Sequence, residues 1–352
     1  IYYASATKLG RWQIGSDWAT RVDDWATFTN GDTGFHPMLV KNGILYIGDG
    51  NLVAQVDEAG VFTANALDLP KPHRVKALGE FYTDLLIGTY ISANVSFCKI
   101  FRWDTWSVSW TTDDTIPEIG INAFIQTDNA VVVQAGLKGN LYIYNGQHLE
   151  QHKRIPGIWT STNQAIVHPS ASVNFNGMPI FGLSNVSGNP ALQGIWSFGG
   201  YSSNYPKILN LEYVISQNLL ASIEIGAIAV IENNILVSWK DGANYGVDKI
   251  NWSAKYAGAY FETRVINIDR ETAKDFVVRV NYKTIPASTG ITLKYDLDYA
   301  GSYTALAMTQ DITRKIYTGD IRIEGANTLK LKLEFTINSN NAPNIEAIEL
   351  LY

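Results

Sequence analysis

The feature that most limits how this chain can fold is a hairpin signal that recurs about every 40 to 50 residues. Asn42-Gly43 and Asn176-Gly177 each lie between two apolar runs, and Asn-Gly favours a two-residue turn because both residues tolerate positive φ. Thr83-Asp84, Asp128-Asn129 and Asn233-Asn234 hold the same place in three further units. A second hairpin follows each of them, so every unit is expected to contain four short strands.

Five such units are predicted in the first three quarters of the chain, at residues 36–75, 76–118, 119–157, 158–215 and 216–268. Four-stranded units of this length, without helical periodicity, are typical of a β-propeller. Residues 1–35 are expected to close the ring with the last blade or to form a partial blade. The prediction for residues 1–268 is therefore a propeller of five or six blades, or of seven if sequence is missing upstream.

The sequence changes character after Ile268, where tryptophan becomes scarce and alternating strands follow one another. In the stretch TLKLKLEF, Leu329, Leu331 and Leu333 alternate with charged residues, which is typical of a sheet with one buried and one wet face. Residues 269–352 are therefore predicted to form a small β-sandwich. The fold class expected for the whole chain is all-β.

Composition excludes several classes of partner. Charged residues make up 17% of the 352 residues and the formal net charge is −6, so no excess of Lys or Arg is present to neutralise phosphates. We expect no nucleic-acid partner for this reason. No apolar run has the length of a membrane span, so we also expect no membrane insertion.

No motif for a metal, a cofactor or a nucleophile is found. Of the five histidines, only His148 and His152 lie close together, and they flank a predicted turn, so we expect no metal site and no cofactor. Cys98, the single cysteine, is expected to be a packed, inert thiol.

Paired carboxylates matter because propellers host glycosidases, which need two acids several ångströms apart. The candidates all lie in predicted turns or on exposed strand faces, where a solvated carboxylate is the usual state. They are Asp23-Asp24, Asp113-Asp114, Asp241 with Asp248, and Asp296 with Asp298. On this basis we expect that the chain is not an enzyme.

Tryptophans are the remaining candidates for a ligand site. Trp103, Trp106 and Trp110 lie within the ten residues RWDTWSVSWT and are weak candidates for stacking on a sugar ring. Trp103 aligns with Tyr144 and Phe198 of other units, which favours a scaffold role, whereas Trp106 has no such counterpart and is the better binding candidate. Trp12, Trp18 and Trp25 form a second group near the start, which could also stack on sugars.

The order of propeller and sandwich, the turns VKNGILYIG and LLIGTY, and the segment VNYKTIPASTGITLKYDLD at residues 280–298 resemble structural proteins of tailed-bacteriophage virions. The resemblance implies a non-enzymatic component of the virion, such as a tail, tail-tip or capsid-decorating protein. Its partners would be other virion proteins and copies of itself, with a host-surface glycan as a further ligand. Two alternatives stay open: a secreted carbohydrate-binding propeller and a glycoside hydrolase.

Overall fold

The computed structural model describes residues 1–30, 34–127, 130–157, 159–160, 164–184, 192–199, 207–215, 223–251, 253, 255, 257–268 and 273–351. These residues form 31 strands and one short 3-10 helix, Trp18–Thr20. The chain divides into two compact units, Ile1–Ile250 and Asn251–Tyr352. No helix within the described ranges is long and apolar enough to cross a membrane.

The first unit contains six antiparallel sheets in which the strands follow chain order. An N-terminal sheet of three strands comes first: β1 (Tyr2–Ser5), β2 (Lys8–Arg11) and β3 (Val22–Thr27). Four sheets of four strands follow. The second sheet contains β4 (Met38–Lys41), β5 (Ile44–Asp49), β6 (Leu52–Val56) and β7 (Phe62–Asp68), and the third contains β8 (Arg74–Phe81), β9 (Asp84–Tyr90), β10 (Cys98–Trp103) and β11 (Thr112–Ile116). The fourth contains β12 (Ile121–Gln126), β13 (Val131–Ala135), β14 (Asn140–Tyr144) and β15 (Leu149–Arg154), and the fifth contains β16 (Ser172–Phe175), β17 (Met178–Leu183), β18 (Gly194–Gly199) and β19 (Ile208–Val214). A three-stranded sheet ends the unit: β20 (Ile223–Ile231), β21 (Asn234–Asp241) and β22 (Asn244–Lys249).

Buried apolar clusters lie between successive sheets rather than within one sheet. Tyr46 of the second sheet packs with Trp103 of the third, and Phe81 of the third packs with Tyr144 of the fourth. The same arrangement joins the first sheet to the second, the fourth to the fifth and the fifth to the sixth. The first strands β4, β8, β12, β16 and β20 contact one another in sequence. Sheets packed face to face around their first strands form a β-propeller, so the predicted fold class is confirmed.

The predicted hairpin turns have two-residue loops that begin with a positive φ. Asn42 and Gly43 have φ of 50° and 78°, and Asn176 and Gly177 have 52° and 79°, as a type I′ turn requires. In the third and sixth sheets the loop lies one residue earlier than predicted, at 82–83 and 232–233, because Phe81 pairs with Asp84 and Ile231 with Asn234. Asp128-Asn129 lies outside the described residues.

The second unit is a sandwich of two antiparallel sheets around one core. One sheet contains β23 (Tyr260–Glu262), β24 (Ile266–Asn267), β26 (Gly290–Leu297), β27 (Thr304–Ala305) and β30 (Thr328–Thr336). The other contains β25 (Lys274–Thr284), β28 (Thr309–Asp311), β29 (Ile316–Ile323) and β31 (Asn344–Leu351). Leu329, Leu331 and Leu333 are buried. Since β23 and β24 pair with β30, the structural boundary falls at residue 250 instead of the predicted 268.

Three histidines with lowered pKa values make the stability of the protein depend on pH. Burial lowers the pKa of His73, of His152 and of His168 from the ordinary value of 6.5. A lowered folded pKa means that the unfolded chain binds more protons just below pH 6.5, so the folded state loses stability as pH falls from there. We expect the urea midpoint to decrease between pH 7.5 and pH 5. The decrease should be smaller in a His73→Gln, His168→Gln double variant, and an equal decrease in that variant and in wild type would contradict the prediction.

Candidate functional site

One end of the propeller unit carries the loops that expose Trp18, Tyr82 and Trp106. In each four-stranded sheet, the loop between the first and second strands and the loop between the third and fourth strands open at the same end, because neighbouring strands are antiparallel. The side chain of Lys41, at the end of β4, donates to the carbonyl of Tyr82 after β8, which places these ends together. We call this end the loop face.

The β2–β3 loop of the N-terminal sheet also opens on the loop face. Tyr2 pairs with Arg11, the last residue of β2, so the start of β1 and the loop after β2 lie at the same end. Tyr2 lies next to the β6–β7 turn of the second sheet, because a Cβ added to Gly60 of that turn would be 3.8 Å from the Tyr2 hydroxyl oxygen. The rings of Trp25 and Phe62 are 6.2 Å apart, and Phe62 directly follows the same turn.

Trp106 is the most exposed aromatic side chain on this face. It lies in the β10–β11 loop with 90% of its surface exposed, and Val108 beside it is 97% exposed. Asp104 holds the loop: its carboxylate accepts hydrogen bonds from the backbone N–H of Trp106 at 2.9 Å, and from the backbone N–H and the hydroxyl of Ser107 at 2.8 and 2.7 Å. These bonds, first of all the one from the Ser107 backbone, lower the pKa of Asp104. The indole is therefore presented on a loop that is fixed by its own sequence.

The three tryptophans of RWDTWSVSWT do not form one exposed site. Trp103 is 2% exposed within the core between the second and third sheets, where its indole N–H donates to the carbonyl of Ser107 at 2.8 Å. Trp110 packs edge-on against Phe101, with ring centroids 5.3 Å apart, at the border of the same core. Trp103 and Trp110 pack on the core side of the loop, and of the three tryptophans only Trp106 is exposed enough to contact a ligand.

A second group of aromatic side chains lies at the β2–β3 loop. The ring of Trp18 is 52% exposed and lies 5.3 Å from Trp12, 6.0 Å from Tyr3 and 5.0 Å from the guanidinium of Arg21. Asp23 accepts from the Tyr3 hydroxyl at 2.5 Å and from Arg21 at 2.9 Å. The hydrogen bond between Tyr3 and Asp23 raises the pKa of Tyr3 and lowers that of Asp23. We call Tyr3, Trp12, Trp18, Arg21 and Asp23 the N-terminal aromatic cluster.

A cavity of about 360 Å³ lies among the first strands of four sheets. Its lining includes one carboxylate, Glu80 of β8, together with the amides Gln126 and Asn174 and the ring of Phe124. Lys41 lies 3.7 Å from Glu80. Residues from distant parts of the chain meet in this cavity, and no short motif in the sequence predicts their meeting.

Several of the predicted acids have structural partners of their own. The expectation that all of them are solvated is wrong for Asp241 and Asp296, which are 5% and 6% exposed and each have one buried carboxylate oxygen without a hydrogen-bond partner among the described residues. Asp113 is bonded to Lys99 at 2.6 Å. Asp248 accepts from the Tyr213 hydroxyl at 2.8 Å and from the Trp239 indole at 2.9 Å, and Asp298 accepts from the backbone of Asn327 at 2.7 Å. Within the part of the chain that the structure describes, no three His, Cys, Asp or Glu side chains are grouped to hold a metal ion.

No protein-family model matches the chain, and no curated protein matches its sequence. Among solved structures, it is similar to an exo-beta-1,3-galactanase from Phanerochaete chrysosporium at 9% identity and a TM-score of 0.38, over 92% of this chain and 98% of that one. It is also similar to the extracellular domain of a hybrid two-component system from B. thetaiotaomicron at 13% identity and a TM-score of 0.49, over 99% of this chain and 47% of that one. Xyloglucan PUL GH43B of Bacteroides ovatus matches at 8% identity and a TM-score of 0.36, over 90% and 89%.

These similarities concern the fold, and they correct one expectation from the sequence. We expected that the chain is not an enzyme, and that expectation is wrong, because the structures that share its fold include glycoside hydrolases. The exclusion had rested on missing motifs and on acid pairs that the sequence predicted to be exposed. A propeller gathers its central residues from separate sheets, so missing local motifs do not exclude catalysis on this fold.

Proposed function

We propose that this chain is a carbohydrate-binding β-propeller and that Trp106 is the centre of its binding surface. The observation that carries the proposal is an indole that is 90% exposed on a loop whose backbone is fixed by Asp104. Exposing an indole to water costs free energy, which is recovered when the apolar face of a ligand covers it. A pyranose ring offers such a face through its C–H groups, with hydroxyl groups at its rim.

The loop is ordered before any ligand arrives. Asp104 fixes the backbone at Trp106 and Ser107, and the buried Trp103 holds the Ser107 carbonyl from the core side. A binding group that is already held in place loses little conformational entropy on binding, which improves affinity. The loop therefore has the rigidity expected of a stacking platform.

Charge on the loop face favours a neutral sugar. Two cations near the aromatic loops are paired with acids, Arg102 with Asp84 and Arg21 with Asp23, and the guanidinium of a third, Arg11, lies over the Trp25 ring. The chain as a whole carries a net charge of −6, which repels polyanions. A neutral polysaccharide or oligosaccharide needs no free cation for binding and is not repelled by the net negative charge.

We expect Trp106→Ala to weaken carbohydrate binding about tenfold or more, because a central tryptophan of a binding surface typically contributes about 2 kcal/mol or more. The measurement is affinity electrophoresis in native gels that contain laminarin, xyloglucan or β-1,3-galactan, with alginate as the anionic comparison. Tyr245→Ala is the matched control, since Tyr245 is 81% exposed in the same unit but follows the β21–β22 turn at the opposite end. Equal retardation of wild type and Trp106→Ala would refute the assignment of Trp106.

Asp104 tests whether the fixed loop matters. Asp104→Ala removes the acceptor of three hydrogen bonds, so binding should weaken severalfold although Trp106 is still present. Asp104→Asn keeps a side-chain oxygen for the two backbone N–H groups and should restore most of the affinity. If both variants bind as weakly as each other, the role of Asp104 is not the positioning of the loop.

Turnover is measured on the same samples, since the fold is shared with glycoside hydrolases. The assay measures reducing sugar released from the polysaccharide that retards the protein in the gel. If the wild-type protein releases sugar and Glu80→Gln does not, the function extends from binding to hydrolysis in the central cavity. The virion location and the virion partners remain predictions. Mass spectrometry of purified phage particles tests them, and absence of the chain from particles would dismiss them.

A further inference from the structure

We infer that the loop face binds an extended neutral polysaccharide along three successive sheets, with the N-terminal aromatic cluster as a second contact beside the Trp106 loop. This inference rests on the proposed carbohydrate-binding function and specifies the class of ligand, a polymer instead of a mono- or disaccharide. Its basis is the placement of exposed apolar side chains on the loops of neighbouring sheets.

Corresponding loops of three neighbouring sheets each expose an apolar side chain. Trp18 is 52% exposed in the β2–β3 loop, Val61 is 57% exposed after the β6–β7 turn, and Trp106 is 90% exposed in the β10–β11 loop. Each loop precedes the last strand of its sheet, and the sheets pack in this order. The three side chains therefore lie on loops of successive sheets, with two sheet-to-sheet spacings of about 10 Å each between the first loop and the last.

The N-terminal aromatic cluster has the composition of a sugar subsite in its own right. Trp18 supplies an exposed ring, while Arg21 and Asp23 beside it supply a donor and an acceptor for hydroxyl groups. The pairing of Arg21 with Asp23 leaves the cluster without an excess of positive charge, which suits a neutral ligand. Mostly apolar contact with a few placed polar groups is the usual composition of a small-molecule site.

The Trp18 ring is also held in place before binding. Asp17 caps the short helix Trp18–Thr20 by accepting from the Ala19 backbone at 3.0 Å, and the Trp12 indole donates to the Asp17 carbonyl at 3.3 Å. Two fixed aromatic contacts on one rigid unit act together on a long chain, because binding at the first raises the effective concentration at the second. A short oligosaccharide gains nothing from the second contact.

The test compares ligand length at the two contacts. The probes are the disaccharide, the hexasaccharide and the intact polymer of whichever of laminarin, xyloglucan and β-1,3-galactan retards the wild-type protein. We expect Trp18→Ala to weaken binding of the polymer about tenfold and to leave the disaccharide unaffected, whereas Trp106→Ala weakens all three. Trp18→Phe, which keeps an aromatic ring, should retain most of the affinity for the polymer, and its circular dichroism checks the fold.

The outcomes separate the two proposals. If Trp18→Ala binds the polymer as tightly as wild type while Trp106→Ala does not, the second contact is refuted and the carbohydrate-binding function stands. If Trp18→Ala weakens the disaccharide and the polymer equally, the two contacts do not act along one chain and the inference is also refuted. If none of the three polysaccharides retards the wild-type protein, the proposed function fails and this inference fails with it.

Discussion

Trp103→Ala should destabilise the propeller unit by about 3–5 kcal/mol, the cost typical of removing a large aromatic side chain from a packed core. The Trp103 ring is 2% exposed and packs edge-on against Tyr46 of the neighbouring sheet at 5.8 Å. Its removal leaves a cavity between two sheets and frees the carbonyl of Ser107 from its indole donor. We therefore expect the free energy of unfolding to fall and the Trp106 loop to lose order.

Urea unfolding followed by tryptophan fluorescence measures this effect, because nine of the ten tryptophans lie in the first unit. Trp106→Ala is the matched control: the same side chain is removed three residues later, from a position that is 90% exposed. Its midpoint should stay within experimental error of wild type. Similar midpoints for the two variants would mean that Trp103 is not in the core that the structure describes.

The contrast between Trp103 and Trp106 was predictable from the repeats. Trp103 aligns with Tyr144 and Phe198, and all three are buried, since each fills the same space between two sheets. Trp106 has no counterpart in the other units, and its side chain is exposed. An aromatic residue that recurs at the same position of several repeats serves the packing that the repeats share, whereas a residue found once is free to contact a ligand.

Turn positions were predictable only where glycine marks them. Asn42-Gly43 and Asn176-Gly177 were placed correctly because their φ preferences single them out. The turn after β8 was placed one residue late, since its positive φ falls on Tyr82, a residue with no preference for that conformation. There the pairing of Phe81 with Asp84 sets the loop, and pairing is a property of the whole sheet.

The candidate site was predictable in part for the same reason. The Trp106 loop lies within ten residues, so its sequence alone identified it. The N-terminal aromatic cluster joins Tyr3 of β1, Trp18 of the β2–β3 loop and Asp23 of β3. The sequence identified Trp18 and Asp23 as separate candidates but did not predict that they lie in one cluster. The lining of the central cavity comes from four sheets, so a search for local motifs could neither find this cavity nor exclude a site in it.

Gly194→Ala is expected to destabilise the propeller unit by about 2–6 kcal/mol, because two independent costs add. Gly194 begins β18 with a φ of 151°, a conformation that residues with a Cβ rarely adopt. A Cβ at this position would lie 2.2 Å from the carbonyl oxygen of Tyr213 in the paired strand β19. This oxygen belongs to the backbone, so it cannot move aside by a side-chain rotation. The strand pair must open or shift to accept the methyl group.

Two further glycines separate these costs. Gly242 has a positive φ of 59° with open space around it, so Gly242→Ala should show only the backbone strain, about 1–2 kcal/mol. Gly199, in the same strand as Gly194, has no positive φ and only an ordinary contact at 3.7 Å, so Gly199→Ala should be nearly neutral. The urea midpoints should therefore decrease in the order Gly199→Ala, Gly242→Ala, Gly194→Ala. A Gly194→Ala midpoint no lower than that of Gly242→Ala would contradict the close approach of β18 and β19, and with it the pairing of these two strands in the fifth sheet.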